Sequence, residues 1–525
     1  VKILISDPIS DKGVELLKSN PSFQVDKKVG LKEDELCAII GEYDGLVVRS
    51  QTKVNPKVLA AAKRLKIIGR AGVGVDNVDV DTATRRGIIV MNTPGGNTMS
   101  TAEHSFSMMM AMARKIPQAH ASMKAGKWDR KSFEGTELFG KTLGVIGMGR
   151  IGSEVAKRAV AFGMRVLAND PFLSPSRAKA LQVEIVELDA IYKQADFITV
   201  HVPATDQTKG MINKDTIAKM KKGVRLINCA RGGIIVEADL CEALKSGKVA
   251  AAALDVYEKE PPVGFPLAEL DNVILTPHLG ASTREAQESC GTEIAEQIAE
   301  ALSGGTIRNA VNMPSIDAKV LAALQPYIAF GEKLGRLLAQ LAPKRIERLT
   351  VEFFGKAGEL ETGPITRAVL KTFLENAEGG DVNYVNAPSI AHQLGIHVEE
   401  TKSTDPIDYA ELITVRAQAE GVNVCASGTF YGNNARIVRI NGTPVEVVPN
   451  GVLFIMHNQD RPGVVGWIGT IMGKHGINIA SMSLGRDKEG GTALTVLNLD
   501  SAPSLEVLAE VKKDKDIIAV KIAKL

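Results

Sequence analysis

Short apolar runs alternate with amphipathic stretches through the first half of the chain. Lys2–Ser6, Gly45–Arg49, Ile67–Gly69 and Ile88–Met91 have strand length and are separated by segments of helical spacing. That rhythm predicts a parallel sheet covered by helices. It returns after Lys141, with runs at Leu143–Ile146, Phe197–Val200, Arg225–Asn228, Ala252–Asp255 and Val273–Thr276. Between the two sets, residues 98–126 predict one long helix interrupted at Pro117. Its methionines, Met108, Met109, Met110 and Met112, suit core filling. Residues 284–302 predict a single helix that returns the chain to the first lobe.

The pattern changes in the second half. Asn312-Met313-Pro314-Ser315 reads as a linker. Residues 326–450 mix helices with alternating strands, as in IERLTVEFFG and ARIVRINGTPVEVV, and carry no catalytic signature. Residues 451–525 predict a compact βαββαβ unit. In it, Val452–Met456 leads through Asp460-Arg461-Pro462-Gly463 into a helix, two alternating strands meet at Lys488–Gly491, and the helix Ser504–Lys513 precedes the strand Ile517–Ile522. Such a unit is a ferredoxin-like ligand or interaction module.

At 525 residues the chain is too long for one core and predicts several domains. A net charge of +2 gives no electrostatic case for nucleic acid or an anionic membrane. No apolar run reaches the roughly 18 residues of a membrane helix, and VKILISDPIS reads as a strand and not as a signal peptide. The five cysteines are scattered, without a CxxC pair, which argues against a disulfide framework or a zinc site and for a reducing compartment. A cytoplasmic protein without a metal is expected.

Candidate chemistry begins at Gly147-Met148-Gly149-Arg150-Ile151-Gly152, between an apolar run and an amphipathic helix. Gly147 allows a tight turn, Gly149 lets backbone approach a pyrophosphate, and Gly152 lets helix and strand meet closely. The helix N-terminus adds free N–H groups for phosphate. Asp170 closes the next apolar run, where an acid holds an adenosine ribose and repels a 2′-phosphate. The motif therefore predicts NAD rather than NADP.

Three further segments follow predicted strands: Asn228-Cys229-Ala230-Arg231-Gly232-Gly233, Asp255–Pro262 with Glu260, and Thr276-Pro277-His278-Leu279-Gly280-Ala281. Strand carboxyl ends are where open α/β sheets bind ligands. Oxidising a secondary alcohol needs a base, which His278 supplies; a carboxylate, Glu260, orients the ring; Arg231 forks onto a substrate carboxylate. In the first lobe, Arg49 and Arg70 add fixed positive charge near the glycine-rich turn at Gly72–Gly74, whose N–H groups suit an anion.

With GMGRIG, NCARGG, EKEPP and PHLGAST, residues 1–310 resemble the D-2-hydroxyacid dehydrogenases. The whole chain resembles the long branch of that family that acts on D-3-phosphoglycerate. The resemblance implies an α/β chain with two Rossmann-like lobes. One is a discontinuous substrate-binding domain (1–93 and 284–310), the other an NAD-binding domain (94–283). An α+β intervening domain (315–450) and a ferredoxin-like ACT regulatory domain (451–525) follow. It implies Arg231, Glu260 and His278 as catalytic residues. To the cofactor it assigns Gly147, Gly149, Arg150, Ile151, Gly152, Asp170, Val202, Cys229, Ala230, Arg231, Asp255, His278, Gly280 and Ala281. To the substrate it assigns Arg49, Arg70, Val73, Gly74, Asn97 and Arg130, the last across a dimer interface. Val73 stands where some relatives carry threonine. In the ACT domain, Asn458, Asp460 and Asn478 match positions that bind serine as an effector. Arg436 is a candidate for a second anion site, although Val448 occupies a position that is cationic in other members. The expected assembly is a homo-oligomer, a tetramer if ACT domains pair in addition to a core dimer. The expected activity is NAD-dependent oxidation of D-3-phosphoglycerate at the entry to serine synthesis. The alternatives are another 2-hydroxyacid dehydrogenase, a glyoxylate or hydroxypyruvate reductase, or a non-catalytic NAD-binding corepressor or sensor.

Overall fold

A computed structural model describes residues 1–314, 318–343, 345–378, 382–405 and 407–525. Ser315, the last residue of the expected linker, lies outside the described residues. The chain is an α/β protein, and its described residues form four sheets.

The first sheet comprises β1 (Lys2–Ile5), β2 (Gln24–Lys27), β3 (Gly45–Val48), β4 (Ile67–Arg70) and β5 (Ile89–Met91). All are parallel, in the order β2-β1-β3-β4-β5. Sequence patterning missed β2, an edge strand whose QVDK has no buried residue. The helix Arg284–Leu302 starts where the Thr283 side chain accepts from Ala286 N–H. It lies on this sheet, where Cys290, Ile294, Ala295 and Ile298 join Ile3, Ile5, Val47 and Ile67 in one buried cluster. The contact is close because a Cβ on Gly13, in the helix Asp11–Ser19, would collide with the carbonyl of Gly291.

The second sheet contains β6 (Thr142–Ile146), β7 (Arg165–Asn169), β8 (Glu184–Ile185), β9 (Phe197–Val200), β10 (Val224–Asn228), β11 (Val249–Leu254) and β12 (Val273–Leu275). Its seven parallel strands run β12-β11-β10-β9-β6-β7-β8. The order reverses between β6 and β9, and ligands of such sheets bind outside the strand carboxyl ends at that switch point. Apolar clusters cover both faces, one including Met108, Met109 and Met112. The expected long helix is two, Thr98–Ala113 and Ile116–Lys124. The break falls at Lys115, whose φ of 50° is left-handed, just before Pro117.

The third sheet holds β13 (Arg348–Gly355), β14 (His397–Ser403), β15 (Glu411–Ala419), β16 (Val422–Tyr431), β17 (Asn434–Ile440) and β18 (Thr443–Val447). Its order is β14-β13-β15-β16-β17-β18, with β13 and β14 parallel and the remaining pairs antiparallel. The fourth has β19 (Val452–Gln459), β20 (Ile479–Arg486), β21 (Thr492–Leu499) and β22 (Ile517–Lys524), antiparallel in the order β20-β21-β19-β22. One face of this last sheet carries its own two helices. On the other, Leu453, Ile455, Leu494, Val496 and Ala523 merge with the core of the third sheet and its helix Ala318–Leu341. Lys521 Nζ bonds the Leu341 carbonyl at the end of that helix, 2.5 Å away. Among the described residues no helix is long and apolar enough to cross a membrane.

Candidate active site

The glycine loop follows β6. Gly147 has φ 94°, and a Cβ there would lie 2.5 Å from the His201 carbonyl oxygen and 2.8 Å from Val202 Cγ1. A Cβ on Gly152 would collide with the Gly147 carbonyl, so the helix Arg150–Ala161 can start this close to β6 only with glycine. A Cβ on Gly149 would meet no atom within 4 Å. The loop is thus closed toward the sheet and open toward the cleft. Gly149 caps the helix without a side-chain bond, which leaves first-turn N–H groups for an anion. Asp170, past the end of β7, accepts from Met148 N–H at 2.6 Å and Phe172 N–H at 2.8 Å, so its carboxylate sits at the loop mouth. Ile151 packs against the core of the sheet. The Arg150 side chain turns toward Gly95 and the return helix, where its charge acts on Glu293. These features fit a dinucleotide: the glycines would hold pyrophosphate by backbone alone, and Asp170 would meet the ribose.

Past β10, Asn228 shapes the next turn by accepting from Ala230 N–H (3.0 Å) and donating to the Arg231 carbonyl (2.8 Å). Cys229 points inward. Its thiol, pushed up to about 12 by burial, lies 3.7 Å from Met108 Sδ, so Cys229 offers the cleft only backbone.

Asp255, past the end of β11, is buried and binds four donors: Thr276 Oγ1 (2.6 Å), Leu279 N (2.7 Å), Gly280 N (2.8 Å) and His104 Nε2 (3.1 Å). Burial raises its pKa, but these bonds and the His104 charge outweigh it and hold the carboxyl below its usual range. Asp255 therefore straps the turn that carries His278, a residue held at φ 56°. Ser100 and Thr101 hydroxyls bond the Gly280 carbonyl from the other side, at 2.8 and 3.1 Å, just before Ala281. His278 Nδ1 lies 2.8 Å from Glu260 Oε2, and Glu260 Oε1 accepts from Tyr257 N–H at 3.2 Å. The hydrogen bond to Glu260 raises the His278 pKa against the pull of burial. Burial also works against ionising Glu260, yet His278 holds it below its usual value. Arg231 is near enough for its charge to oppose protonation of His278.

The first lobe faces these groups. Asp7 accepts from Arg49 N–H at 2.6 Å, and Asn77 Nδ2 bonds the Arg49 carbonyl at 2.7 Å. Arg70, at the end of β4, folds against Gly72. Burial, then the charges of Arg231 and Arg49, push it down to about 10. Its Nε, Asn97 Oδ1 and Thr98 Oγ1 are enclosed with no hydrogen-bond partner among the described residues. Such atoms mark room for a polar ligand. Asn92 Nδ2 holds the Val73 carbonyl at 2.5 Å, and a Cβ on Gly74 would collide with Arg231 Nη2. Arg49, Arg70 and Arg231 thus form one cationic group across the cleft. Arg130 is not part of it. It lies in an exposed segment beside Ser132 and Thr136, which bond Lys115 and Arg225 at the opposite end of the sheet.

Asp76 and His104 were not singled out from the sequence. Asp76 lies inside the glycine-rich RAGVGVDN segment, and His104 lies one turn beyond the buried Ser100 and Thr101 in the helix Thr98–Ala113.

Residues 106–280 match the family model for the D-isomer specific 2-hydroxyacid dehydrogenase NAD-binding domain. Residues 323–441 match the D-3-phosphoglycerate dehydrogenase intervening domain, and 451–516 the ACT domain. A D-3-phosphoglycerate dehydrogenase of Archaeoglobus fulgidus is 48% identical over 99% of both chains. One of Methanocaldococcus jannaschii is 45% identical over 100% of both. The chain belongs to the D-3-phosphoglycerate dehydrogenase family. Two solved structures match about three fifths of the chain. A D-lactate dehydrogenase of Aquifex aeolicus, complexed with NAD and lactic acid, is 30% identical with a TM-score of 0.53, covering 60% of this chain and 100% of its own. A glyoxylate reductase of Paecilomyes thermophila is 33% identical with a TM-score of 0.54, covering 59% and 97%. The cofactor of the nucleotide lobe is NAD.

The three positions expected to bind serine do not converge within one chain. Asn458 is buried in β19, with its amide bonded to Thr495 Oγ1 (3.2 Å) and the Gln459 carbonyl (2.9 Å). Asp460 follows β19 and accepts from Arg486 Nη1 (3.1 Å) and Gly490 N–H (3.3 Å). Asn478 precedes β20 and bonds Asp500 at 2.8 Å. Both β19 and β20 run antiparallel to β21, so Asp460 and Asn478 stand at opposite ends of the sheet. In the third sheet, Arg436 donates to its neighbour's carbonyl, Ala435, at 2.9 Å.

Proposed function

We propose that the protein oxidises D-3-phosphoglycerate to 3-phosphohydroxypyruvate with NAD⁺, the entry to serine synthesis. The observation that carries this reading is the cationic group of Arg49, Arg70 and Arg231 beside the His278–Glu260 pair. A substrate with a carboxylate at one end and a phosphate at the other needs several cations; lactate or glyoxylate needs fewer. The substrate-binding domain is taken as 1–93 with 284–310, the nucleotide domain as 94–283, the intervening domain as 315–450 and the ACT domain as 451–525.

Bound NAD⁺ supplies the hydride acceptor. Backbone N–H groups of Gly149, Arg150 and Ile151 hold its pyrophosphate, Gly147, Gly152 and Val202 shape the loop, and Asp170 takes the ribose. Cys229, Ala230, Asp255, Gly280 and Ala281 border the nicotinamide end. Arg231, with the N–H groups of Val73 and Gly74, grips the substrate carboxylate and stabilises the C2 oxygen. Arg49, Arg70 and Asn97 hold the remainder of the substrate, joined by Arg130 from a second copy. His278 takes the hydroxyl proton at Nε2. Glu260 fixes the ring through Nδ1 and favours the charged imidazolium that forms.

Serine is the proposed effector, through Asn458, Asp460 and Asn478 of paired ACT domains. The proposed assembly is a homotetramer. Exposed Trp128 and Phe139, 78% and 76% accessible on the nucleotide lobe, support a paired core. The unpaired state of the cysteines suits the cytoplasm.

Absorbance of NADH tests the activity, with D-3-phosphoglycerate, D-lactate and glycolate offered separately. Turnover with D-3-phosphoglycerate at least about 100-fold above the others, in kcat/KM, is expected from the lost charge contacts. Equal turnover of D-lactate removes the phosphate reading. Tight NADH binding without turnover of any 2-hydroxy acid favours the sensor. His278→Asn should lower kcat by about 10²- to 10⁴-fold, far more than it lowers NAD⁺ affinity.

A further inference from the structure

We infer that Asp76 is a positioning residue for the reaction, an acid on the substrate lobe that sets the Arg231 guanidinium across the cleft. The inference rests on Arg231 as the carboxylate anchor. Asp76 Oδ2 lies 3.1 Å from Arg231 Nε, and Arg231 Nη1 donates to the Ala230 carbonyl at 2.7 Å. The third nitrogen, Nη2, is pressed against Gly74, where any Cβ would collide with it. Two of the three nitrogens are therefore committed, and Nη2 is left beside the backbone N–H groups expected to meet the ligand. A guanidinium discriminates carboxylates by direction, because its donors lie in a rigid plane. Fixing that plane is what Asp76 does.

Both ends of the pair are anchored. Asn77 ties the Asp76 turn down by donating to the Arg49 and Thr52 carbonyls at 2.7 and 2.6 Å, and Asn92 holds Val73. On the other lobe, Asn228 holds the Arg231 carbonyl at 2.8 Å. The pair thus joins the two lobes at the point where substrate enters. Asp76 is also the one carboxylate among the charges that act most strongly on Arg70, the others there being Arg231, Arg49 and Cys290. It offsets part of the positive charge of the cluster while the cleft waits for an anion.

An ion pair as open as this one, with Asp76 68% exposed, adds little to fold stability. A structural role and a positioning role therefore separate cleanly. In the full-length protein, Asp76→Ala should raise the KM for D-3-phosphoglycerate about tenfold or more. The KM for NAD⁺ and the Tm should stay at wild-type values. Asp76→Glu, which keeps a carboxylate beside Arg231 Nε, should recover most of kcat/KM, and Asp76→Asn, which loses the charge of the pair, should recover less. Affinity of the enzyme–NADH complex for oxamate, a small carboxylate read by NADH fluorescence, should fall in parallel for the alanine variant. Wild-type kcat/KM in Asp76→Ala overturns the inference, as does an equal loss in NAD⁺ binding or in Tm. If the wild-type protein fails to turn over D-3-phosphoglycerate, the functional reading fails instead, and the oxamate measurement still decides the role of Asp76.

Discussion

His278 Nδ1 sits 2.8 Å from Glu260 Oε2, and this contact sets the response of the site to pH. The carboxylate raises the imidazole pKa above its ordinary value near 6.5, against the effect of burial. Oxidation needs the neutral ring, so kcat should climb with pH through a pKa above that value. Glu260→Gln removes the charge that favours imidazolium. The acid limb should then move to lower pH, and the plateau should fall about 10- to 100-fold through lost orientation. The reverse reduction needs the protonated ring, so its basic limb should move in the same direction. Rate profiles in both directions check this; an unmoved acid limb would mean that another group titrates.

Asp170 braces the glycine loop through Met148 N–H at 2.6 Å, and the proposed reading gives it the ribose as well. Asp170→Ala should therefore reduce the preference for NAD⁺ over NADP⁺ by about tenfold or more, because a bidentate acid–diol contact is lost. It should also raise the KM for both cofactors, since the loop loses its brace. The ratio of kcat/KM values measures the first effect and the individual KM values the second. An unchanged ratio would take Asp170 off the ribose.

Gly152 tests the backbone argument directly. A methyl group there meets the Gly147 carbonyl, which belongs to the same loop and has no flexible end to withdraw. Gly152→Ala should push the helix Arg150–Ala161 off β6. About 1–3 kcal/mol of stability should be lost, with a larger loss of NADH affinity. Thermal unfolding with and without NADH separates the two, because the ligand-induced rise in Tm should shrink more than the apo Tm.

The parts of this architecture legible in the sequence are those with local causes. Phe197–Val200 and Arg284–Leu302 announce themselves by run length, spacing and caps. The edge strand Gln24–Lys27 does not, since only a neighbouring strand makes its polar residues a strand. Nor does the break at Lys115, where a lysine takes a left-handed φ and the visible signal, Pro117, lies beyond it. In the site, His278, Glu260 and Arg231 are readable as chemical types at strand ends. Asp76 acquires meaning only when the turn on one lobe reaches Arg231 on the other. His104 likewise matters only through Asp255, far along the chain. The positions proposed for serine can be named one by one, but the separation of Asp460 and Asn478 at opposite ends of the sheet follows from strand direction.

That separation makes a prediction about serine. Asp460 and Asn478 can meet one ligand only if the Asp460 end of one ACT sheet adjoins the Asn478 end of another. Asp460→Ala and Asn478→Ala should each abolish the serine response, because each removes one side of both sites in a two-fold pair. Neither should alter basal turnover, since among the described residues both bond only within the ACT unit. In a mixed pair, one site carries both substitutions and the other carries neither. Co-expressing the two variants under different tags and purifying mixed assemblies should therefore restore inhibition at one of the two sites of each mixed pair. Isothermal titration of serine counts the sites, and inhibition curves report their effect. If mixed assemblies bind no serine while the wild type does, Asp460 and Asn478 do not complete a site between copies.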